Sequence, residues 1–383
     1  MSETYYLYGV PASYYTAKAR AFMRKQGVAF EERSSAHKEF GTVVFPATLR
    51  MFLPCLQAPD GTIVQDSDDI LAYLERAAPI RLSATPPGPV QAVLSHLFNL
   101  FGSEGLTRMA MHYRWSMLDR QDSFIAAGFI HGLAPESPPE EADALARPMM
   151  NKLASYLAAL GVTDATIPKV EAAYDQLLDA LQAHFTRHPC LFGAWPSLGD
   201  YGLYGPLFAH LGRDPVPAFH MKQRADKVFR WTERVSAPNL DIPEYPNYPY
   251  TEFLPGDAVP ETLLAVGRVA AGEMIPELPD QVAAFNAWAA GQDRKAGVPL
   301  LDKPHKRAVG TVETHYRGEP VRTGVSPYRI YLLQKLQTAF DALDAEPKTR
   351  AQAWIDAAGL APLLKARPDH RVARKDNLEV WAD

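Results

Sequence analysis

The chain has 383 residues, 47% hydrophobic and 22% charged, which is enough apolar material for a sizeable core and two or three domains. A formal net charge of −5 argues against nucleic acid as a general partner, and no apolar run approaches the roughly 18 residues needed to span a bilayer. Cys55 and Cys190 are the only cysteines and lack metal-type spacing, which argues against a disulfide framework or a metal site. The opening MSETYYLYGV has neither a basic nor an apolar leader region, so the expectation is a cytoplasmic enzyme or binding protein with no membrane partner.

Tyr5–Val10 is rich in aromatic and β-favouring residues and predicts a first strand, which Pro11-Ala12-Ser13 ends. Tyr15–Lys25 then predicts a helix, with basic residues gathering at its C-terminal turn and Gly27 just beyond. Val28–Arg33 alternates as a second strand. Pro54 has no N–H to donate, so the segment it opens must be an edge strand or a special junction. Pro59-Asp60-Gly61 is turn chemistry between two short apolar runs and predicts a hairpin. Ser67 before Ile70, Leu71 and Leu74 reads as a helix N-cap, with Asp66, Asp68 and Asp69 placing negative charge where the dipole favours it.

After the proline-rich Thr85–Pro89 the pattern becomes helical, with predicted helices over Val90–Phe101, Leu106–Leu118, Met149–Leu160 and Lys169–Phe185. Ser197-Leu198-Gly199-Asp200 is a capping-box variant opening an apolar helix through Leu211, in which Gly199 costs about 1 kcal/mol of helix propensity. Asn239–Pro255 reads as an extended connection, followed by helices over Glu261–Ala271 and Leu278–Ala290. A short hairpin over Thr311–Arg322 precedes helices over Tyr328–Leu343 and Thr349–Leu364. With Trp354 and Trp381 this last region is too apolar for a disordered tail.

Three stretches carry a family resemblance. LYGVPASYYTAKAR is similar to the opening of many plant and bacterial glutathione transferases of the serine type. Leu53-Pro54-Cys55-Leu56, Asp60-Gly61, Asp66-Ser67 and Ile70-Leu71-Ala72-Tyr73-Leu74 resemble the superfamily's Leu-Pro-x-Leu, Asp-Gly, acid-Ser and Ile-x-x-Tyr-Leu series. Pro196-Ser197-Leu198-Gly199-Asp200 resembles the buried capping motif of its helical domain. The resemblance covers residues 4 to 235. It implies an α/β thioredoxin-like N-terminal domain over 1–80 and an all-α helical bundle over 90–235; the additional, mainly helical extension over 236–383 lies beyond it and is expected to pack on the core or to form a small α+β appendage.

The resemblance also assigns roles. The proline after Leu53 would be cis, and the Leu53 backbone, Pro54, Gln65, Asp66 and Ser67 would bind glutathione. Ser13 would hydrogen-bond its sulfur and stabilise the thiolate, with Tyr8, Tyr14 and Tyr15 as alternatives. The glycine carboxylate has His37, Lys38 and Arg50 as candidate partners, each otherwise read as a solvated surface residue. Met109, Tyr113 and Trp115 would line the second-substrate pocket, although helix-bundle core is an equal reading for about half of that segment. The implied function is conjugation or reductive transfer of glutathione, the co-substrate, to a hydrophobic electrophile in detoxification, by a homodimer without metal. The rival is a non-catalytic binding or interaction protein that keeps the fold. Cys55 is expected to be a small buried hydrophobe.

Overall fold

The computed structural model describes residues 4–382. It resolves into two compact units that interleave along the chain, one from Met1–Ser83, Ala110–Leu157 and Tyr204–Asp241, the other from Ala84–Met109, Ala158–Leu203 and Ile242–Asp383.

In the first unit, β1 (Tyr5–Tyr8) leads into α1 (Tyr14–Gln26), which ends where Gly27 takes the left-handed conformation at φ 73°. β2 (Phe30–Arg33) lies parallel to β1, as a strand returning through a crossover helix must. A π-helical turn over Phe40–Val44 and the short α2 (Phe45–Thr48) then lead to the antiparallel strands β3 (Cys55–Gln57) and β4 (Ile63–Gln65). The sheet order β2-β1-β3-β4 and the following α3 (Ser67–Ala77) give the expected thioredoxin-like half with a mixed sheet. Pro54 stands at the junction before β3, an inner strand, so the edge-strand option is not the one used. Tyr8 packs with Phe40, Val44 and Cys55 on one face of this sheet. The unit also contains α6 (Leu118–Leu133), α7 (Pro139–Ala154), α10 (Pro215–Arg224) and α11 (Asp226–Ser236).

The second unit is mainly helical. It contains α4 (Pro89–Leu100), α8 (Ile167–Phe185), α12 (Leu263–Met274), α13 (Glu277–Ala289), α14 (Pro327–Asp341) and α15 (Ala345–Ala357). α5 (Thr107–Trp115) and α9 (Leu198–Ala209) each begin in this unit and end in the first. The capping box at α9 forms as read: Ser197 N–H donates to Asp200 Oδ2 at 2.9 Å, and Asp200 N–H donates back to Ser197 Oγ at 3.3 Å.

Two expectations in this region need correction. The helix predicted over Thr349–Leu364 is two helices, α15 and α16 (Ala361–Lys365), separated by Gly359 at φ 79°. A second hairpin, β7 (Val372–Lys375) with β8 (Leu378–Trp381), was not predicted; Asp376 and Asn377, both at positive φ, make its two-residue turn. The first hairpin, β5 (Thr311–Tyr316) with β6 (Glu319–Gly324), is present and turns the same way at Arg317-Gly318. No helix among the described residues is long and apolar enough to cross a membrane.

Candidate functional site

Register alone brings three motifs to one end of the sheet. Tyr8, the last residue of β1, faces Cys55, the first of β3, and Cys55 faces Gln65, the last of β4. The Val10–Ser13 loop, the Leu53–Pro54 junction and the Asp66–Ser67 helix start therefore emerge side by side. The Leu53–Pro54 bond is cis, as the resemblance implied. The Asp66 N–H donates to Pro54 O at 3.2 Å, tying the junction directly to the start of α3. The buried Lys18 of α1 pairs with Asp68 in the first turn of α3 at 2.8 Å, so the positive ends of both helices point at this edge.

The cap of α3 differs from the prediction. Asp66, not Ser67, is the N-cap, its carboxylate accepting from the N–H groups of Asp68 at 2.8 Å and Asp69 at 3.4 Å. Asp66 stands at φ 98°, a conformation that costs a non-glycine residue of order 1–3 kcal/mol and is typical of ligand clamps. The shift leaves Ser67 in the first turn, fully buried, with no hydrogen-bond partner for its hydroxyl among the described residues. Gln65 is buried beside it at the end of β4.

Ser13 is the N-cap of α1 and is partly exposed; its Oγ accepts from Thr16 N–H at 3.2 Å. Accepting uses a lone pair, so the hydroxyl hydrogen is still free to be donated elsewhere. Tyr8 is buried, and its hydroxyl donates to Gln57 Oε1 at 2.9 Å and lies 3.2 Å from Glu39. Burial first of all raises its pKa. The hydroxyls of Tyr14 and Tyr15 bond each other, and the Tyr14 ring meets His210 edge-on at 5.4 Å.

Of the carboxylate candidates, Lys38 is exposed and His37 Nδ1 accepts from Glu39 N–H at 3.3 Å. Arg50 is 4% exposed, which corrects the expectation of a surface residue. Met109, Tyr113 and Trp115 are all buried, and Trp115 packs with Ile125, Ala126 and Met150 as core. Burial pushes the Cys55 thiol up, in keeping with a buried hydrophobe.

Sequence reasoning missed Arg114. Its guanidinium grips Asp214 at 2.7 and 2.8 Å and donates to the carbonyls of Ala12 and Ala209, each at 2.9 Å. The residue preceding Ser13 is thus held by a buried ion pair whose members lie a hundred positions apart in sequence. The available signal was a charged residue between Tyr113 and Trp115, inside an otherwise apolar helix face.

Residues 7–87 match the family model described as "Glutathione S-transferase, N-terminal domain". The N-terminal domain belongs to the glutathione transferase superfamily. No curated protein matches the chain. Among solved structures, glutathione transferase GSTFuA3 from Phanerochaete chrysosporium is similar at TM-score 0.43 and 17% identity, covering 63% of this chain and 99% of its own. CsGST63524 of Ceriporiopsis subvermispora, solved in complex with glutathione, is similar at TM-score 0.40 and 17% identity, covering 60% of this chain and 96% of its own. The β-etherase LigF from Sphingobium sp. strain SYK-6 is similar at TM-score 0.39 and 17% identity, covering 61% and 95%. Among the described residues no group of three or more His, Cys, Asp or Glu is placed to hold a metal ion.

Proposed function

We propose that this chain is a transferase that activates glutathione and joins it to a hydrophobic electrophile. The observation that carries the reading is the buried Ser67 hydroxyl without a partner at the start of a helix. A buried polar group left unpaired costs about 1–3 kcal/mol, and a carboxylate at a helix N-terminus would satisfy it. The γ-glutamyl carboxylate of glutathione has that chemistry. Asp66 and Gln65 would hold the same end of the tripeptide, and the Leu53 backbone next to Pro54 its cysteinyl amide. Ser13, with a hydrogen to donate and the start of α1 behind it, would favour the thiolate over the thiol. The thiolate then attacks the electrophile, a C–S bond forms, and the leaving group departs with its electron pair while the thiol proton goes to solvent. Assembly as a homodimer belongs to the same reading, and sedimentation equilibrium giving only the monomer mass at micromolar concentration would reject it.

Ser67→Ala is the test of binding. The substitution removes a hydroxyl that no protein group uses, so the free protein should be as stable or slightly more stable. Glutathione binding should weaken by roughly 1.5–3 kcal/mol, the range for hydrogen bonds to charged groups. Calorimetry on both proteins measures it. A wild type that neither binds glutathione nor is retained on glutathione-agarose would instead support a non-catalytic interaction protein built on the fold.

A further inference from the structure

The loop before Ser13 is surrounded by more positive than negative charge. Arg114 is committed to Asp214 and to the Ala12 and Ala209 carbonyls. Arg20 is committed to Glu32 at 2.6 Å and to Val10 O at 3.3 Å. Two guanidinium groups are thus matched by two carboxylates.

Arg213 is a third guanidinium, and it has no hydrogen-bond or ion-pair partner among the described residues. It lies over the Phe124 ring, 4.9 Å from the centroid. A side chain beginning at Gly128 would start 3.5 Å from Ala12 Cβ and 3.8 Å from Arg213 Nη1, so α6 presents bare backbone between the arginine and the loop. His210, three residues before Arg213, is no counterion; burial and then Arg114 hold its pKa well below the ordinary range, leaving it neutral. The same forces bear on Arg213, whose pKa is drawn down first by burial and then by Arg114, with Asp214 opposing. A partly buried guanidinium in this position gains most from an anion, and its planar fork matches a carboxylate.

We propose that Arg213 recognises a carboxylate on the second substrate, so that the electrophile is an apolar or aromatic acid rather than a neutral hydrocarbon. The assignment deepens the transferase reading and rests on it for the identity of the site. Phe124 supplies the apolar neighbour and Arg213 the charge that selects among electrophiles of similar shape.

The probes are 4-chloro-3,5-dinitrobenzoate and its methyl ester, which differ in charge at one end of the same ring. Calorimetry without glutathione should give at least a ten-fold preference for the acid in the wild type, and Arg213→Gln should collapse the ratio to near one. Arg213→Lys, which keeps the charge and loses the fork, should retain part of the preference. Equal binding of acid and ester by the wild type overturns the proposal, as does a preference that survives Arg213→Gln. A loss of glutathione affinity without loss of the acid preference also overturns it, since the carboxylate recognised would then be glutathione's own. So does unfolding of both Arg213 variants, which would make the residue structural. Adding glutathione separates the two readings, because thiolate attack displaces chloride from the ring and releases it as an anion. An Arg213-dependent preference with no chloride release sinks the transferase reading alone, whereas equal release rates from acid and ester sink the Arg213 assignment alone.

Discussion

Both compact units bury charge, but they use it differently. In the unit that carries the sheet, the buried pair Arg114–Asp214 and the partly buried pair Arg20–Glu32 reach out to backbone carbonyls and fix the loop before Ser13. In the other unit, Glu277 is shared by Arg108 and Arg329, while Glu273 accepts from Arg317 at 2.9 Å and from the Tyr316 hydroxyl at 3.0 Å. Arg108 also lies over the Tyr316 ring at 4.0 Å. These groups come from α5, α12, α13, the β5–β6 hairpin and α14, so they join side chains of separate elements rather than shape a loop. The first arrangement fixes backbone of the candidate site; the second closes a polar core of the kind whose replacement by apolar residues is often neutral or stabilising.

Breaking the second arrangement should have the largest effect. Glu277→Ala leaves Arg108 and Arg329 buried without their shared carboxylate, and should destabilise the protein by about 3–5 kcal/mol in chemical denaturation. The pH dependence follows from its sign. Burial alone would raise the Glu277 pKa, but Arg329 and then Arg108 hold it below the ordinary 4.5. Its contribution is therefore complete above that ordinary value and is lost as pH falls through the depressed folded-state pKa, by linkage. Glu273, raised by burial against Arg317 and Arg108, works in the opposite sense and loses its contribution as pH rises. The acid limb of the stability curve should therefore flatten in the Glu277 variant. An unchanged limb with a loss below 1 kcal/mol would show that the cluster is no more than packing.

The two regions also differ in how far they could be read from sequence. The Pro54 junction and the capped start of α3 at Asp66–Ser67 were legible because each depends on a few adjacent residues with restricted backbone or capping chemistry, whereas the cis bond and the place of Ser13 at the start of α1 came from the resemblance. The one-residue slip from Ser67 to Asp66 as cap arises because both residue types cap well, and only the backbone at φ 98° decides between them. Arg114 and Arg213 were not legible as parts of the site, since their significance lies in neighbours distant in sequence. In the second unit, helices followed from periodicity, but the break at Gly359 and the Asp376-Asn377 turn were overlooked beside stronger helical patterns. The Arg108–Glu277–Arg329 cluster has no local signature at all.

Gly199 sharpens this point, because sequence and structure predict opposite signs. Propensity alone says that Gly199→Ala should stabilise α9 by about 1 kcal/mol. In the structure, an added Cβ would stand 2.9 Å from Phe98 Cβ, 3.1 Å from Leu191 Cδ1 and 3.2 Å from Ser95 O. Leu191 meets it with a side-chain tip that can rotate, but the other two cannot swing away freely, as Phe98 contributes the root of its side chain and Ser95 its backbone. The gain in propensity is then outweighed by overpacking, typically about 1–3 kcal/mol. Thermal unfolding of the variant decides: a higher midpoint would mean that α4 and α9 separate easily, and that the close packing seen here contributes little.

The smallest effect concerns the sulfur and tests whether the loop held by Arg114 is there for chemistry. Ser13→Ala should raise the thiol pKa of bound glutathione by roughly one unit, equivalent to about 1.36 kcal/mol, through loss of one hydrogen bond to the thiolate. Tyr8→Phe should leave that pKa unchanged, because the Tyr8 hydroxyl is already engaged with Gln57 and Glu39 inside the sheet's apolar face. Its cost should appear in stability instead, at about 1 kcal/mol for the lost side-chain hydrogen bonding. Both variants can be followed by thiolate absorbance of the glutathione complex against pH, alongside denaturant unfolding. A pKa that moves with Tyr8→Phe and not with Ser13→Ala would return the role to the strand. If neither variant moves it, the paired hydroxyls of Tyr14 and Tyr15 are the next groups to substitute, since they follow Ser13 directly in the first turn of α1.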